Sequence, residues 1–245
     1  MLDALRQSLP HPSGLGGRHG VCPLRIPAID TALGGGLLRG ALHEVAAASE
    51  AHLTAASAFV LGLVPNARKT ILWAIEDMAR FESGSPFGSG LDEFGLHPER
   101  LLLVNVSSQR DLLWTLEEAL HCSAVGAVIG ELRHERIDAV ALRRLSLAAF
   151  ERGVRAFLLR SKPSEQPSTA ATRWVVGAAP SRPLYGPGPP RIEAHLTRNR
   201  RGPLGSWLLQ WKESDECFVL ASAHPQPLAS SPVHRPAGAT GRSVA

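Results

Sequence analysis

Two hydrophobic patterns alternate along the chain. "TILWAI" (70–75), "RLLLVNV" (100–106), "GAVIG" (126–130) and "VRAFLLR" (154–160) are short, nearly continuous apolar runs, as expected of strands buried on both faces of a parallel sheet. "ALHEVA" (41–46) reads as another strand. Between these runs the apolar residues take helical spacing. The alanine-rich "LTAASAFVLGL" (53–63) predicts one helix. "SQRDLLWTLEEALHC" gathers Leu112, Leu113, Leu116 and Leu120 on one face of a second. "IDAVALRRLSLAAFERG" gathers Ile137, Val140, Ala141, Leu145 and Ala148 on a third, with Gly153 as its stop. A glycine-rich loop, "SGSPFGSG", precedes a short helical turn near "LDEFGL". Alternating strands and helices imply an α/β fold with a mostly parallel sheet flanked by helices. Ligand sites in such sheets lie beyond the carboxyl ends of the strands.

The pattern changes after residue 160. "SKPSEQPSTAAT" is a polar, proline-bearing loop, "RWVVGAA" follows, and no helix can cross "PSRPLYGPGPP". "RIEAHLTRNR" and "GSWLLQW" predict two strands joined by a turn at "RGPLG", an antiparallel extension at the C-terminal end of the core. Strand alternation puts Trp207 and Trp211 on one face, in a packing role. The organisation expected is a leader (1–23), one domain (24–223) and a disordered tail (224–245) rich in proline and small residues.

Composition narrows the class. The 245 residues are 44% hydrophobic, enough for one sizeable core. The net charge of +4 permits contact with nucleic acid without requiring it. Cys22, Cys122 and Cys217 form no paired motif and read as reduced thiols of a cytoplasmic protein. His121 beside Cys122 is too few ligands for zinc, so no metal is expected. No apolar run reaches membrane-spanning length and no signal peptide is legible. GxSxG and HExxH motifs are absent, which removes the common hydrolase and metalloprotease chemistries.

The stretch after the first strand, "AASEAHLTAA", has the strand–loop–helix layout of a phosphate-binding P-loop without its chemistry. That motif, G-x-x-x-x-G-K-[ST], needs glycines to aim backbone N–H groups at phosphate, a lysine for charge, and a hydroxyl for magnesium. Ala47 stands at the first glycine position, His52 at the second and Leu53 at the lysine; only Thr54 is retained, and Glu50 adds negative charge. The loop is therefore expected to cap its helix, with no nucleotide cofactor.

The stronger lead is a basic hairpin. Arg198, Arg200 and Arg201 cluster at its turn, a composition suited to phosphate contacts and salt-sensitive DNA binding.

"IPAIDTALGGGLLRGALHEV" resembles the entry to a RecA-type ATPase core, and "RIEAHLTRNRRGPLGSW" is similar to its late basic hairpin. "FGSGLDEFGLHPERLLLV", "AVIGELR", "STAATRWVVGAAPS" and "LTRNRRGPLGSWLLQW" resemble, in that order, the ImuA family, small RecA-like accessory proteins of a damage-inducible mutagenesis cassette. The resemblance implies a RecA-like fold. It matches Glu76 to the glutamate that positions attacking water in active relatives, and Glu131 to the Walker B acid. With the lysine position apolar, both are expected to be non-catalytic carboxylates. The loop from Arg160 to Arg173 falls where RecA proteins contact DNA. The implied role is a non-catalytic accessory factor in translesion synthesis. Its implied partners are an ImuB-type Y-family-like subunit, an error-prone DnaE-type polymerase, RecA and DNA. A divergent RecA-type ATPase and a stand-alone DNA-binding protein are the alternatives.

Overall fold

The computed structural model describes residues 18–64, 69–133, 136–181 and 188–221. The first seventeen residues of the leader, His134, Arg182 and the tail lie outside them. In chain order the elements begin with β1 (Val21–Cys22), α1 (Pro27–Ala32), β2 (Leu37–Leu38), β3 (Leu42–Ala47) and α2 (Leu53–Leu63). Next come β4 (Thr70–Glu76), α3 (Asp77–Ser83), α4 (Gly88–Glu93), β5 (Leu101–Val106), α5 (Gln109–His121) and β6 (Val125–Leu132). They end with α6 (Ala139–Arg152), β7 (Arg155–Arg160), β8 (Thr172–Ala179), β9 (Arg191–Asn199), β10 (Gly205–Lys212) and β11 (Cys217–Leu220).

One nine-stranded sheet carries the domain, in the order β11-β10-β9-β8-β3-β7-β6-β4-β5. From β8 to β5 every pairing is parallel, while β9, β10 and β11 run antiparallel to their neighbours. β3 lies in the middle and is buried at all six positions, His43 and Glu44 included. On one face α2 buries Leu53, Phe59, Val60 and Leu63 against Ile71, Trp73, Phe157, Trp174 and Trp211. On the other, Leu112, Leu116 and Leu120 of α5 and Leu142 and Leu145 of α6 cover Leu72, Val128 and Leu158. Each such side chain contributes about 1.5–3 kcal/mol when taken out of water.

Local chemistry sets several boundaries. Ser108 caps α5 by accepting from the Asp111 N–H, and Asp138 caps α6 by accepting from Val140 and Ala141. Gly153 ends α6 in the left-handed region, φ 69°. Gly36, φ +133°, lies so close to β1 that a Cβ would stand 2.4 Å from the Cys22 carbonyl oxygen.

Three expectations need correction. Val140 is 64% exposed: at about 100° per residue it lies opposite Leu142 and Ala149, which turn inward together with the expected Ile137, Leu145 and Ala148. The apolar run of β5 is not buried on both faces: β5 is a sheet edge, and Leu102 is half exposed. The sequence reading also omitted α1, α3 and β11, which are too short to show a period.

Candidate functional site

The loop after β3 is tied to β8. The Ala48 N–H donates to the Val176 carbonyl at 2.8 Å, and the Ala178 N–H donates to His52 Nδ1 at 3.0 Å. A single 3-10 turn, Glu50–His52, then leads into α2. The expected helix cap is absent: neither Ser49 nor His52 bonds the helix amides through its side chain. Ser49 is fully extended and the His52 ring is occupied by β8. Ala47 is completely buried, and Leu53, 7% exposed, packs into the apolar cluster around Phe59 and Trp73. Thr54 and Glu50 face solvent.

The two carboxylates matched to catalytic acids are both buried, Glu76 at the end of β4 and Glu131 near the end of β6. The sheet does not bring them to one side. Glu131 is level with Ile75 across the β4–β6 pair, so strand alternation turns Glu76 to the opposite face. Burial pushes the Glu131 carboxyl above its usual range, partly offset by Arg133, 3.7 Å away, and by the Trp73 indole. That indole N–H faces the carboxyl without a hydrogen bond of normal geometry. Arg133 also bonds the Ala79 carbonyl and the Ser83 hydroxyl, which docks α3 on this end of the sheet.

The hairpin arginines divide. Arg198 is level with Arg173 across the β8–β9 pair. Its guanidinium is held below its usual pKa by partial burial first, then by the charges of Arg200 and Arg173. Glu44 of β3 answers this group, ion-paired to Arg173 at 2.9 Å and hydrogen-bonded by the Ser168 hydroxyl. Arg200 reaches the Ser168 carbonyl at 3.3 Å. Arg201 is elsewhere, donating to the Gly34 carbonyl at 2.9 Å in the glycine-rich turn. Arg173 closes the loop expected to contact DNA, but Glu44 and its pairing with Arg173 were missed in the sequence because their meeting depends on strand order. Only the basic character of the region was legible there.

Among the described residues no cluster of His, Cys, Asp or Glu could hold a metal ion, and no helix is long and apolar enough to cross a membrane.

A largely parallel sheet with helices on both faces and an antiparallel C-terminal edge defines a RecA-like α/β fold. The crystal structure of the RadB recombinase superposes on 81% of this chain and 99% of its own with a TM-score of 0.57, at 16% identity. No protein-family model matches the sequence. Protein ImuA of Caulobacter vibrioides, in two strains, is 34% identical over 204 residues, spanning 77% of this chain and 82% of the relative. The chain belongs to the ImuA family.

Proposed function

We propose that the protein is a non-catalytic, cytoplasmic RecA-like accessory factor in damage-induced (SOS) translesion DNA synthesis, acting through contacts and not through ATP hydrolysis. The observation that carries this reading is Leu53. At the position matched to the phosphate-binding lysine, an isobutyl group sits in the core beside a His52 ring bonded to β8. Phosphate binding there would require a cation at the lysine position, which Leu53 does not supply, and the Ala48 and His52 amides are already bonded, to Val176 and Ser49. The separation of Glu76 and Glu131 onto opposite faces is consistent with the same reading.

The partners proposed are the ImuB-type Y-family-like subunit, the error-prone DnaE-type polymerase and RecA. DNA contact through Arg198 and Arg200 is favoured by their crowding with Arg173 around a single carboxylate, since an added phosphate would relieve like-charge repulsion. The test is a pull-down of each purified partner on the full chain, paired with calorimetric titration of Mg-ATP. Capture of the ImuB-type subunit with no ATP heat is expected. Saturable micromolar ATP binding, or hydrolysis lost in Glu76→Gln, would overturn the non-catalytic reading.

A further inference from the structure

The turn between β9 and β10, residues 200–204, ends on Leu204, which is 60% exposed. A single exposed leucine is ordinary on a protein surface. Two observations distinguish this one. The first is that its turn is tied down on both sides although it stands in solvent. The Asn199 side chain spans the turn, donating to the Ala32 carbonyl at 2.8 Å and to the Pro203 carbonyl at 3.0 Å, while its oxygen accepts from the Arg201 N–H at 3.0 Å. The Arg200 N–H donates to the Ala171 carbonyl at 3.1 Å, and the Arg201 guanidinium bonds Gly34. Gly202 is pressed against the end of α1, where a Cβ would stand 2.3 Å from the Ala32 carbonyl oxygen. The backbone under Leu204 is therefore fixed, and the side chain is presented in water instead of folding back onto the core.

The second observation is what surrounds the tip. The Pro203 carbonyl that Asn199 holds belongs to the peptide before Leu204, so the leucine lies beside the stretch from Arg198 to Arg200. Gly205 pairs with the buried Leu196, and a Cβ on it would stand 2.5 Å from the Trp207 ring, so position 205 faces the core. Strand alternation gives Ser206 and Leu204 the opposite face. That face carries His195, bonded to the Ser206 hydroxyl at 2.8 Å, and nearer the tip Arg173 and Arg198. Arg173, Arg198 and Arg200 have Glu44 as their one nearby carboxylate, which leaves an excess of positive charge around an apolar tip. Cations alone suit any phosphate. Cations around an apolar side chain suit a polymer that alternates phosphates with the flat faces of bases.

We propose that Leu204 packs between bases of single-stranded DNA whose phosphates are held by Arg198 and Arg200. This rests on the DNA contact proposed for those arginines and assigns the hairpin a second, apolar contact. The preference for a single strand follows from magnitudes. Burying one leucine gains no more than the unstacking of one duplex step costs, so the side chain enters a strand whose bases are already free to part. Packing on base faces, away from their hydrogen-bonding edges, makes the contact indifferent to sequence.

The test uses the full chain and a short single-stranded oligo-adenine in which alternate bases are 2-aminopurine, whose fluorescence rises on unstacking. Binding is followed in parallel by anisotropy over a salt series. The unaltered chain should raise the fluorescence saturably, in step with the anisotropy. Leu204→Ala should remove most of that rise and weaken binding about tenfold, with the salt slope unchanged, because no phosphate contact is touched. Leu204→Met, apolar and of similar size, should keep both the rise and the affinity. Failure of the unaltered chain to bind DNA overturns the arginine contact and the insertion with it. Binding with a normal salt slope but no fluorescence rise overturns the insertion alone. So does a rise, or an affinity, that Leu204→Ala leaves intact. An equal rise from the same probe annealed to oligo-thymine overturns the preference for a single strand.

Discussion

His43 and Thr172 face each other across the β3–β8 pair, with the imidazole Nδ1 2.8 Å from the threonine hydroxyl. The other ring nitrogen lies 3.0 Å from the Leu38 carbonyl, which can only accept, so Nε2 carries the proton and Nδ1 accepts from Thr172. The Thr172 oxygen in turn accepts from the Trp174 indole at 3.1 Å. A neutral imidazole satisfies this whole chain. A charged one would turn the Thr172 hydroxyl from donor to acceptor and leave its proton without the ring nitrogen as partner. Burial lowers the His43 pKa from 6.5 to about 4, against the raising effect of the Leu38 bond.

This makes stability depend on acid in a defined window. Above pH 6.5 the ring is neutral in folded and unfolded chains and contributes nothing to the pH dependence. As pH falls from 6.5 towards 4, the unfolded chain takes up a proton that the folded one refuses. Folding should lose about 3 kcal/mol across that interval. Urea midpoints measured at half-unit pH steps check the slope, and His43→Gln should flatten it.

Leu53 is a core residue at a position where a cation would be needed for phosphate. Leu53→Lys should therefore cost about 2 kcal/mol or more in stability, through lost packing and a buried ammonium. It should restore no ATP binding, because the His52 ring and the bonded amide of Ala48 remain in place. Denaturant unfolding and Mg-ATP calorimetry on the same variant measure both.

The Glu44–Arg173 pair is buried enough for its removal to be felt, with side chains 5% and 16% exposed. Arg173→Met leaves a carboxylate without its counter-ion, at a cost of about 3 kcal/mol. Adding Glu44→Gln should recover part of that, so the double variant is less destabilised than the sum of the single ones. Thermal unfolding of the four chains gives the coupling.

The hairpin arginines should not behave alike. Arg198→Glu with Arg200→Glu is expected to weaken DNA association and lower its salt slope by about one unit for each phosphate that is no longer neutralised. Arg201→Ala should leave the slope unchanged and instead loosen the hairpin from the Gly34 turn, which its guanidinium bonds. Anisotropy titrations over a salt series distinguish the two. An equal effect from Arg201→Ala would place all three on the DNA side.

Most of the fold was legible because it is written in local periods. α2 falls on the predicted residues, 53–63, and the runs at 70–75, 126–130 and 154–160 each lie within or beside an observed strand. The substitutions at Ala47, His52 and Leu53 were legible too, since a P-loop motif is contiguous in sequence.

What the sequence determined by itself is therefore the class of fold, the run of its elements and the absence of a lysine at the strand–helix loop. These follow from hydrophobic period, capping residues and contiguous chemistry, all properties of neighbours in the chain. The tertiary structure decided the rest. It decided that Glu76 and Glu131 look to opposite faces, and that Arg173 joins Arg198 and Arg201 leaves it. Each of these depends on strand order, register or the packing of distant elements. Pairs such as Ser168 with Glu44, 124 positions apart, leave no local pattern by which a sequence could announce them.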